Sequence, residues 1–157
     1  MYVVTGGAGF IGSNIVSALA ARNMGPIVVV DRLKSDERWR NIAKQELVDV
    51  VLPENLISFL EANAGDVEAV IHMGAISATT ENDADLIISN NFRYPMDLWR
   101  WCALKDVRLI YASSAATYGD GSQGFDDDGS IEGLAKLKPL NAYGWSKHLF
   151  DRRVARM

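Results

Sequence analysis

Four glycines stand close together near the amino terminus of this chain, in the segment Thr5–Gly12. The apolar pair Val3-Val4 before them predicts a short strand, and apolar residues recur at helical spacing from Ile11 to Asn23 after them. A strand that runs through a glycine turn straight into a helix is typical of doubly wound α/β domains, in which the turn lets the backbone approach a phosphate group closely. The segment therefore predicts a fold class and a candidate binding site together.

The remainder of the chain alternates between short apolar runs and helical segments. Strands are predicted at Ile27–Val30, Ala69–His72 and Arg108–Tyr111, and helices at Glu54–Asn63, Asp85–Leu104 and Tyr143–Met157. Pro95 predicts a kink or a break in the long middle helix, and the glycine- and aspartate-rich stretch Ser122–Gly133 predicts a surface loop. Strands that alternate with helices predict a parallel sheet joined by right-handed crossovers, which is the doubly wound Rossmann fold of the α/β class.

The glycine turn has the chemistry to hold a pyrophosphate. Gly6 and Gly9 allow the tight turn, and Gly12 allows the helix to pack closely against the strand. The unpaired amides and the partial positive charge at the start of the helix attract an anion. A purely structural turn is the alternative, but the acid that follows the next strand favours a dinucleotide such as NAD or NADP.

Asp31 is that acid, and it follows the second predicted strand 19 residues after Gly12. An acid in this position can bond the hydroxyls of the adenosine ribose of NAD. Arg32 and Arg38 come soon after it and could together clamp a 2′-phosphate, outweighing the repulsion from Asp31. The residues thus permit NADP and also accept NAD, while an ordinary solvated loop is the alternative for Arg38 and Arg40.

Tyr143 and Lys147 are four residues apart in the last predicted helix, so their side chains share one face. A free phenol ionises only at about pH 10, and a neighbouring ammonium favours the phenolate that a base at neutral pH requires. Ser114 follows the predicted strand Arg108–Tyr111, at the sheet edge where α/β folds bind ligands. A serine there can hold a substrate alcohol while the tyrosine takes its proton, so all three residues are predicted to be catalytic.

Composition argues against several other functions. The net charge of −4 offers no basic surface for nucleic acid, and no apolar run is long enough for a membrane span. One cysteine and two histidines, without ligand spacing, predict no metal site. A start without signal-peptide features favours a cytoplasmic protein. The last helix stops without a cap, so we expect residues 1–157 to be the nucleotide-binding N-terminal fragment of a longer enzyme, its substrate subdomain missing.

These features together resemble the extended short-chain dehydrogenase/reductase family, which includes NAD-dependent epimerases and dehydratases, and the resemblance covers the whole chain. Beside the glycine turn and Pro139–Lys147, the most discriminating stretches are Ser77–Glu81 and Ala112–Gly119. They look like the nucleotide-sugar epimerases that invert C6 of an ADP-linked heptose for the lipopolysaccharide inner core. The resemblance implies an NADP-using isomerase, a nucleotide-sugar substrate (ADP-heptose) and a homo-oligomer at full length.

The same resemblance implies further roles for single residues. Backbone amides of Phe10 and Ile11 would contact the pyrophosphate, and Lys147 would also bond the nicotinamide ribose. The residues that would line the cofactor channel are Met73, Gly74, Ala75, Ile76, Ser77 and Asn90. The sequence departs from the family pattern where Arg38 replaces a usual lysine, and where Pro53 and Met73 stand in place of a frequent lysine and a usual acid. These departures spare the proton-transfer residues but leave the cofactor preference open.

The implied reaction needs more than these residues. Tyr143 would take the proton from the C6 hydroxyl while hydride leaves the same carbon, and after the ketone turns over hydride would return to its other face. A second acid–base group must serve that face; in the family it is a lysine beyond the position of Met157, so we expect this chain alone to bind the cofactor without turnover. A UDP-sugar 4-epimerase and a non-catalytic dinucleotide-binding module are the alternatives, whereas Ala115-Ala116 argue against a dehydratase.

Three other groups have structural interpretations only. Cys102 is expected to be a small buried residue of the middle helix. Asp126–Asp128 is expected to be a solvated loop rather than a cation site. Asp151 and the three arginines that follow it are expected on the exposed side of the last helix.

Overall fold

The computed structural model describes all 157 residues, Met1–Met157, and contains one five-stranded sheet. Its strands are β1 (Tyr2–Thr5), β2 (Ile27–Val30), β3 (Asp49–Val51), β4 (Ala69–His72) and β5 (Arg108–Tyr111). Its helices are α1 (Phe10–Ala21), α2 (Leu56–Ala62), α3 (Ala84–Ile88), α4 (Tyr94–Lys105), α5 (Ile131–Lys136) and α6 (Ala142–Val154). Short 3₁₀ turns lie at Glu37–Asn41, Pro53–Asn55 and Ala115–Tyr118, and a π-helical turn lies at Ser89–Arg93.

All five strands of the sheet run parallel, in the order β3-β2-β1-β4-β5. The central strand β1 pairs with β2 on one side and with β4 on the other. Every residue of β2 and β4 is buried, as expected for strands that read as continuous apolar runs. The chain first moves outward from β1 through β2 and β3, and then outward on the other side through β4 and β5. This order is that of a doubly wound sheet, so the predicted fold class is confirmed.

Apolar packing holds α1 against the sheet next to the glycine turn. Val16 of α1 is fully buried in a cluster that includes Val4 of β1 and Val29 of β2. Burial of each such side chain contributes about 1.5–3 kcal/mol. Because the helix is anchored here, its first turn is fixed directly behind the end of β1.

The long helix predicted at Asp85–Leu104 is helical throughout but changes its winding. The π-helical turn Ser89–Arg93 joins α3 to α4. Pro95 lacks an N–H, and its ring would clash with the carbonyl of an ordinary α-helical turn before it. A wider turn removes this clash, and the π turn therefore lets the helical segment continue through Pro95 without a break.

Two elements differ from the sequence prediction. Asp49–Val51 forms β3, a strand of only three residues that the sequence analysis missed because Asp49 interrupts the apolar stretch from Leu47 to Leu52. Ile131–Lys136 forms α5, which begins inside the predicted loop Ser122–Gly133. The Ser130 hydroxyl caps this helix by accepting a hydrogen bond from the Gly133 amide at 3.0 Å. The loop prediction is therefore wrong for its last three residues.

Other predictions on single groups hold. Cys102 is buried, and this burial raises the pKa of its thiol to about 11. Asp126–Asp128 is exposed along its whole length. None of the helices combines the length and the apolar character that crossing a bilayer requires.

The chain divides into two compact units. The first comprises Met1–Gly74 and Leu98–Ala112 and holds the whole sheet, and the second comprises Ala75–Asp97 and Ser113–Met157. The single nucleotide-binding domain predicted for residues 1–157 stays a prediction. The candidate site residues fall in both units and are described unit by unit.

Candidate active site

The glycine turn lies in the first unit, between β1 and α1. Gly6 has a φ of +64°, in the left-handed region that favours glycine. A Cβ at Gly6 would also lie only 2.8 Å from the backbone nitrogen of Gly74. A Cβ at Gly12 would collide with the carbonyl oxygen of Gly6. The geometry of the turn therefore requires glycine at both positions.

The start of α1 is open to a ligand. Gly9 is the N-cap, no side chain caps the first turn, and Phe10 and Ile11 are 85% and 62% exposed. Amides in the first turn of a helix have no acceptor within the helix, and the helix dipole adds positive charge to them. The shape and charge of this backbone fit the pyrophosphate of a dinucleotide, the contact predicted for Phe10 and Ile11.

Asp31 connects the end of β2 to the glycine turn. Its Oδ2 accepts a hydrogen bond from the Ala8 amide at 3.0 Å, and its Oδ1 accepts one from the Arg32 amide at 2.8 Å. The carbonyl oxygen of Ala8 accepts a further bond from Asn41 Nδ2 at 2.8 Å. Each carboxylate oxygen retains a lone pair, so Asp31 can still accept a ribose hydroxyl while it holds the turn in place.

Both arginines near Asp31 already form ion pairs. Arg32 pairs with Glu54 at 2.9 Å. Arg38 pairs with Asp36 at 2.8 Å and approaches Asp31 Oδ1 at 3.6 Å. Hydrogen bonds from Arg38 hold the pKa of the exposed Asp36 carboxyl below its usual range. The sequence had shown two available cations, whereas the structure shows each of them next to a carboxylate.

Met73 and Gly74 extend β4 at its carboxyl end. Met73 donates its amide to the Thr5 carbonyl at 3.1 Å, and the Gly74 amide donates to Thr5 Oγ1 at the same distance. Thr5 Oγ1 also bonds the buried His72 ring at Nδ1, 2.6 Å away. These bonds hold the two glycine-bearing ends of β1 and β4 together, a role for Thr5 and His72 that the sequence analysis missed.

The first catalytic candidate of the second unit is Ser114. It follows β5 in the chain and caps the 3₁₀ turn Ala115–Tyr118, with its Oγ accepting the Ala116 amide at 3.1 Å. That bond uses one lone pair of the hydroxyl. The O–H remains available to donate to a substrate oxygen.

Tyr143 and Lys147 both lie on α6, as predicted, separated by one helical turn. Lys147 is only 2% exposed, and burial lowers the pKa of its ammonium to about 8. The carboxylate of Asp151 counteracts part of this effect by electrostatic attraction. Lys147 is therefore a buried amine whose charge changes within the range of neutral to mildly alkaline pH.

Gly144 allows α6 to approach the segment that carries Ser114. A Cβ at Gly144 would lie 2.6 Å from the carbonyl oxygen of Ala116. The Asn141 side chain caps the helix by accepting the Gly144 amide at 2.8 Å. The close approach fixes the first turn of α6, which includes Tyr143, beside the 3₁₀ turn that Ser114 caps.

The predicted channel residues of the second unit are anchored by an asparagine. Ile76 donates its amide to Asn91 Oδ1 and accepts from Asn91 Nδ2, both at 2.9 Å. Asn91 is fully buried and also donates to Ser146 Oγ of α6 at 3.1 Å. Asn90, the residue named from the sequence, donates to the Leu86 carbonyl of its own helical segment at 2.8 Å. Ala75 and Ser77, which flank Ile76, are exposed.

Asp151 differs from the sequence expectation. It is partly buried, and its Oδ2 accepts a hydrogen bond from the Ser113 hydroxyl at 2.5 Å. Burial raises the pKa of this carboxyl, while the Ser113 hydrogen bond and the Lys147 charge act in the opposite direction. The expected exposed position of Asp151 is therefore wrong, because the helix turns this side chain towards the residue that precedes Ser114.

The arrangement of strands, turn and α6 residues has counterparts among known proteins. Residues 2–157 match the NAD dependent epimerase/dehydratase family, so the match covers almost the entire chain. The chain belongs to the NAD dependent epimerase/dehydratase family. This membership confirms the family resemblance noted from the sequence and supports the predicted NAD(P) cofactor.

Three proteins that are similar to this chain are named as epimerases, two of them for the same reaction. The ADP-L-glycero-D-manno-heptose-6-epimerase of Fusobacterium nucleatum is 52% identical over 153 residues, 96% of this chain and 46% of that protein. The crystal structure of the same enzyme from Helicobacter pylori has a TM-score of 0.82 and 25% identity, covering 99% of this chain and 50% of that one. The Thermus thermophilus UDP-glucose 4-epimerase, in complex with NAD, has a TM-score of 0.74 and 26% identity, with 99% and 50% coverage. The chain thus spans about half the length of the relatives it matches.

The second unit also contains a groove that is not lined by the catalytic candidates. Its volume is about 490 Å³, and neither Tyr143 nor Lys147 lines it. The lining residues are Phe92, Leu137, Pro139, Trp145, His148, Leu149, Arg152, Arg153 and Arg156. Ser114 is likewise not among them.

Proposed function

We propose that this protein supplies the cofactor-binding and proton-transfer residues of a nucleotide-sugar epimerase that inverts C6 of an ADP-linked heptose. The observation that carries the proton-transfer part is Lys147, a buried amine with a pKa of about 8, one turn from Tyr143. The sugar is supported by the 52% identity to the Fusobacterium nucleatum relative of that name. The predicted cofactor residues of both units, including Lys147, are proposed to bind NAD(P), and Ser114 and Tyr143 to act on the substrate.

In this proposal Ser114 and Tyr143 act on the same substrate hydroxyl. The Ser114 hydroxyl donates to the C6 oxygen and holds it, and the Tyr143 phenolate removes its proton. The ammonium of Lys147 stabilises that phenolate and bonds the nicotinamide ribose. When bound, a nicotinamide would supply the acceptor, and later the donor, of the hydride. The acid–base group for the other face is proposed to lie in the half of the relatives' length that this chain does not span.

Among the two dinucleotides, NADP is the proposed preference. Arg32 and Arg38 flank Asp31, and their side chains are 48% and 38% exposed. Their present partners Glu54 and Asp36 are about half exposed, and exposed ion pairs contribute little, so exchange for a doubly charged phosphate costs little. Bidentate arginine–phosphate bonds then outweigh the repulsion from Asp31. NAD remains a proposed second cofactor, since Asp31 suits its free ribose hydroxyls.

A fusion enzyme tests the proposed activity. The 157-residue chain is joined to the part of the Fusobacterium nucleatum relative beyond the matched segment, and conversion between the C6 epimers of ADP-heptose is followed by chromatography. We expect turnover in the fusion, and binding of NADP without turnover in the 157-residue chain alone. Tyr143→Phe should lower turnover of the fusion by about 10³-fold, in the range that acid–base groups contribute.

Tyr2→Phe provides the matched control, because Tyr2 lies in β1 and has no proposed part in proton transfer. It should leave turnover within about two-fold of the parent, a change worth less than 0.5 kcal/mol. A fusion that folds and binds the cofactor yet leaves ADP-heptose unchanged would overturn the proposal. Equal rates for the parent and the Tyr143→Phe variant would remove the tyrosine from the mechanism.

A UDP-sugar 4-epimerase is the second candidate, supported by the structural similarity to the Thermus thermophilus enzyme. It requires the same serine, tyrosine and lysine, so these residues support both activities equally. The fusion assay with UDP-glucose in place of ADP-heptose separates them. A non-catalytic dinucleotide-binding module is the third candidate, and it would bind cofactor with neither substrate converted.

A further inference from the structure

The second unit contains a polar link between two segments that carry catalytic candidates. Ser113 directly precedes Ser114, and its hydroxyl donates to Asp151 Oδ2 at 2.5 Å. Asp151 lies on α6 one turn beyond Lys147, which in turn lies one turn beyond Tyr143. Three ionisable side chains thus follow one another at i, i+4 spacing along one face of the helix, and the last is tied to the segment of Ser114.

The buried position of Lys147 makes a nearby negative charge important. An ammonium that is 2% exposed has lost most of its hydration, which favours the neutral amine. A neutral amine would not stabilise a phenolate at Tyr143. Asp151 carries the negative charge that acts on Lys147 and raises its pKa against the effect of burial.

No other group around α6 replaces the carboxylate of Asp151. The elements packed against α6 include α3, α5, the π-helical turn and the 3₁₀ turn after Ser114. Their ionisable groups are Asp85, Arg93, Tyr118, Glu132 and Lys136. Of these, all but the half-buried Tyr118 are exposed, and on α6 itself the remaining charges near Lys147 are His148 and Arg152, of which neither is an anion. Asp151 is therefore the carboxylate placed to keep the lysine charged.

We propose that Asp151 is a positioning residue that keeps the Lys147 ammonium charged and oriented towards Tyr143, with the Ser113 hydroxyl holding the carboxylate in place. This role rests on the proposed function, in which Lys147 serves the proton-transfer tyrosine. The hydrogen bond from Ser113 also fixes α6 to the segment of Ser114, so one link orders the serine and the helix together.

Nuclear magnetic resonance of the Lys147 side chain tests this role without any substrate. The chain is labelled at lysine Cε and titrated from pH 6 to 11, and the Lys147 signal is assigned by its loss in Lys147→Met. Asp151→Asn should lower the pKa of Lys147, by about one unit or more, because it removes the negative charge that raises this pKa. Asp126→Asn, at an exposed aspartate of the same unit, should leave it unchanged. An unchanged pKa in a folded Asp151→Asn chain would overturn the proposal.

The parent chain provides a second measurement that needs no folded variant. On titration towards acid, protonation of Asp151 should produce an inflection in the Lys147 Cε signal, at a pH above the ordinary 3.8 of an aspartate. A flat Lys147 signal through that range would overturn the coupling. Both titrations follow the signal of the lysine directly. A fusion enzyme that fails to convert ADP-heptose would therefore contradict the proposed activity without contradicting the link between Asp151 and Lys147.

The fusion enzyme adds a kinetic readout. Asp151→Asn should shift the alkaline limb of the turnover profile towards lower pH, in parallel with the Lys147 titration, while Asp151→Glu should restore part of the shift. A purely structural role for Asp151 predicts lower activity at all pH values with an unshifted profile, and that outcome would contradict the proposal.

Discussion

The glycine turn and the α6 face carry the two parts of the proposed chemistry by opposite means. The turn works through backbone: Gly6 and Gly12 have no side chain to contribute, and their value lies in the space they leave. The α6 face works through side chains, of which Lys147 is buried almost completely and has a pKa lowered to about 8. A backbone site binds an anion through dipoles of fixed orientation, whereas a side-chain site depends on protonation and therefore on pH.

The largest predicted effect concerns the pH dependence of stability. The folded-state pKa of Lys147 is lowered from 10.5 to about 8, so between these values the unfolded chain binds more protons than the folded chain. Stability should therefore rise with pH across that window, by about 3 kcal/mol from this one group. Lys147→Met should lose this gain, as measured by urea unfolding at pH 7.5 and pH 10.5.

The comparison for that experiment is a lysine at the surface. Lys44→Met changes an exposed residue of the first unit and should preserve the gain of the parent chain. Equal pH profiles for the parent chain and Lys147→Met would show that Lys147 is hydrated in solution, and the contrast between the two regions would lose its basis.

Gly12→Ala should weaken the binding of the dinucleotide and leave the titration of Lys147 unchanged. The new methyl group collides with the Gly6 carbonyl, so either the turn or the start of α1 must move. We expect NADP affinity to fall by about 100-fold, or roughly 2.7 kcal/mol, in calorimetric titration. Gly65→Ala, which has open space around its Cβ, is the matched change and should bind like the parent. Unaltered affinity in Gly12→Ala would show that the turn is not the anion site.

Gly144→Ala tests the corresponding close approach in the second unit. Its methyl group would lie 2.6 Å from the Ala116 carbonyl oxygen, and we expect a loss of about 1–3 kcal/mol in the free energy of unfolding. Gly129→Ala, with no atom within 4 Å of its Cβ, should change stability by less than about 0.5 kcal/mol. Similar stability for the two variants would mean that α6 can move away from the 3₁₀ turn at little cost.

Arg38→Ala should have the smallest effect, and a selective one. We expect about a ten-fold loss of NADP affinity with NAD affinity almost unchanged, since only NADP carries the 2′-phosphate. Arg40→Ala removes a more exposed arginine that pairs with Glu37 and should alter neither affinity. Equal losses for both dinucleotides would assign Arg38 to the shape of the turn instead of phosphate recognition.

The sequence was sufficient for the elements whose signals are local. The apolar runs Ile27–Val30 and Ala69–His72 became strands with the predicted bounds, because continuous β-branched and apolar residues pack only in a buried sheet. The spacing of Tyr143 and Lys147 was likewise sufficient to place them on one helix face. Short elements were missed where the signal was weak, as at β3, or where a single serine cap decided the helix start, as at α5.

Contacts between segments that are distant in the sequence could be identified only from the folded structure. Asn90 and Asn91 are neighbours in the sequence, but their side chains lie in different places in the π turn. The Asn91 side chain forms a buried hydrogen bond with Ile76, whereas the Asn90 side chain bonds its own helical segment. The burial of Asp151 could not be read from a helix end rich in arginine, because its partner Ser113 is 38 residues away. The ion pairs of Arg32 and Arg38 depend on loop geometry in the same way.

The sequence by itself determined the order of most strands and helices, the glycine turn behind β1 and the family to which the chain belongs, because these depend on residue type and near-neighbour spacing. The tertiary structure alone decided the burial of Lys147 and Asp151, and with it the pKa of Lys147 and the partner of Asp151. The physical reason is that hydration and electrostatic attraction depend on distances in space, which a pattern along the chain does not contain.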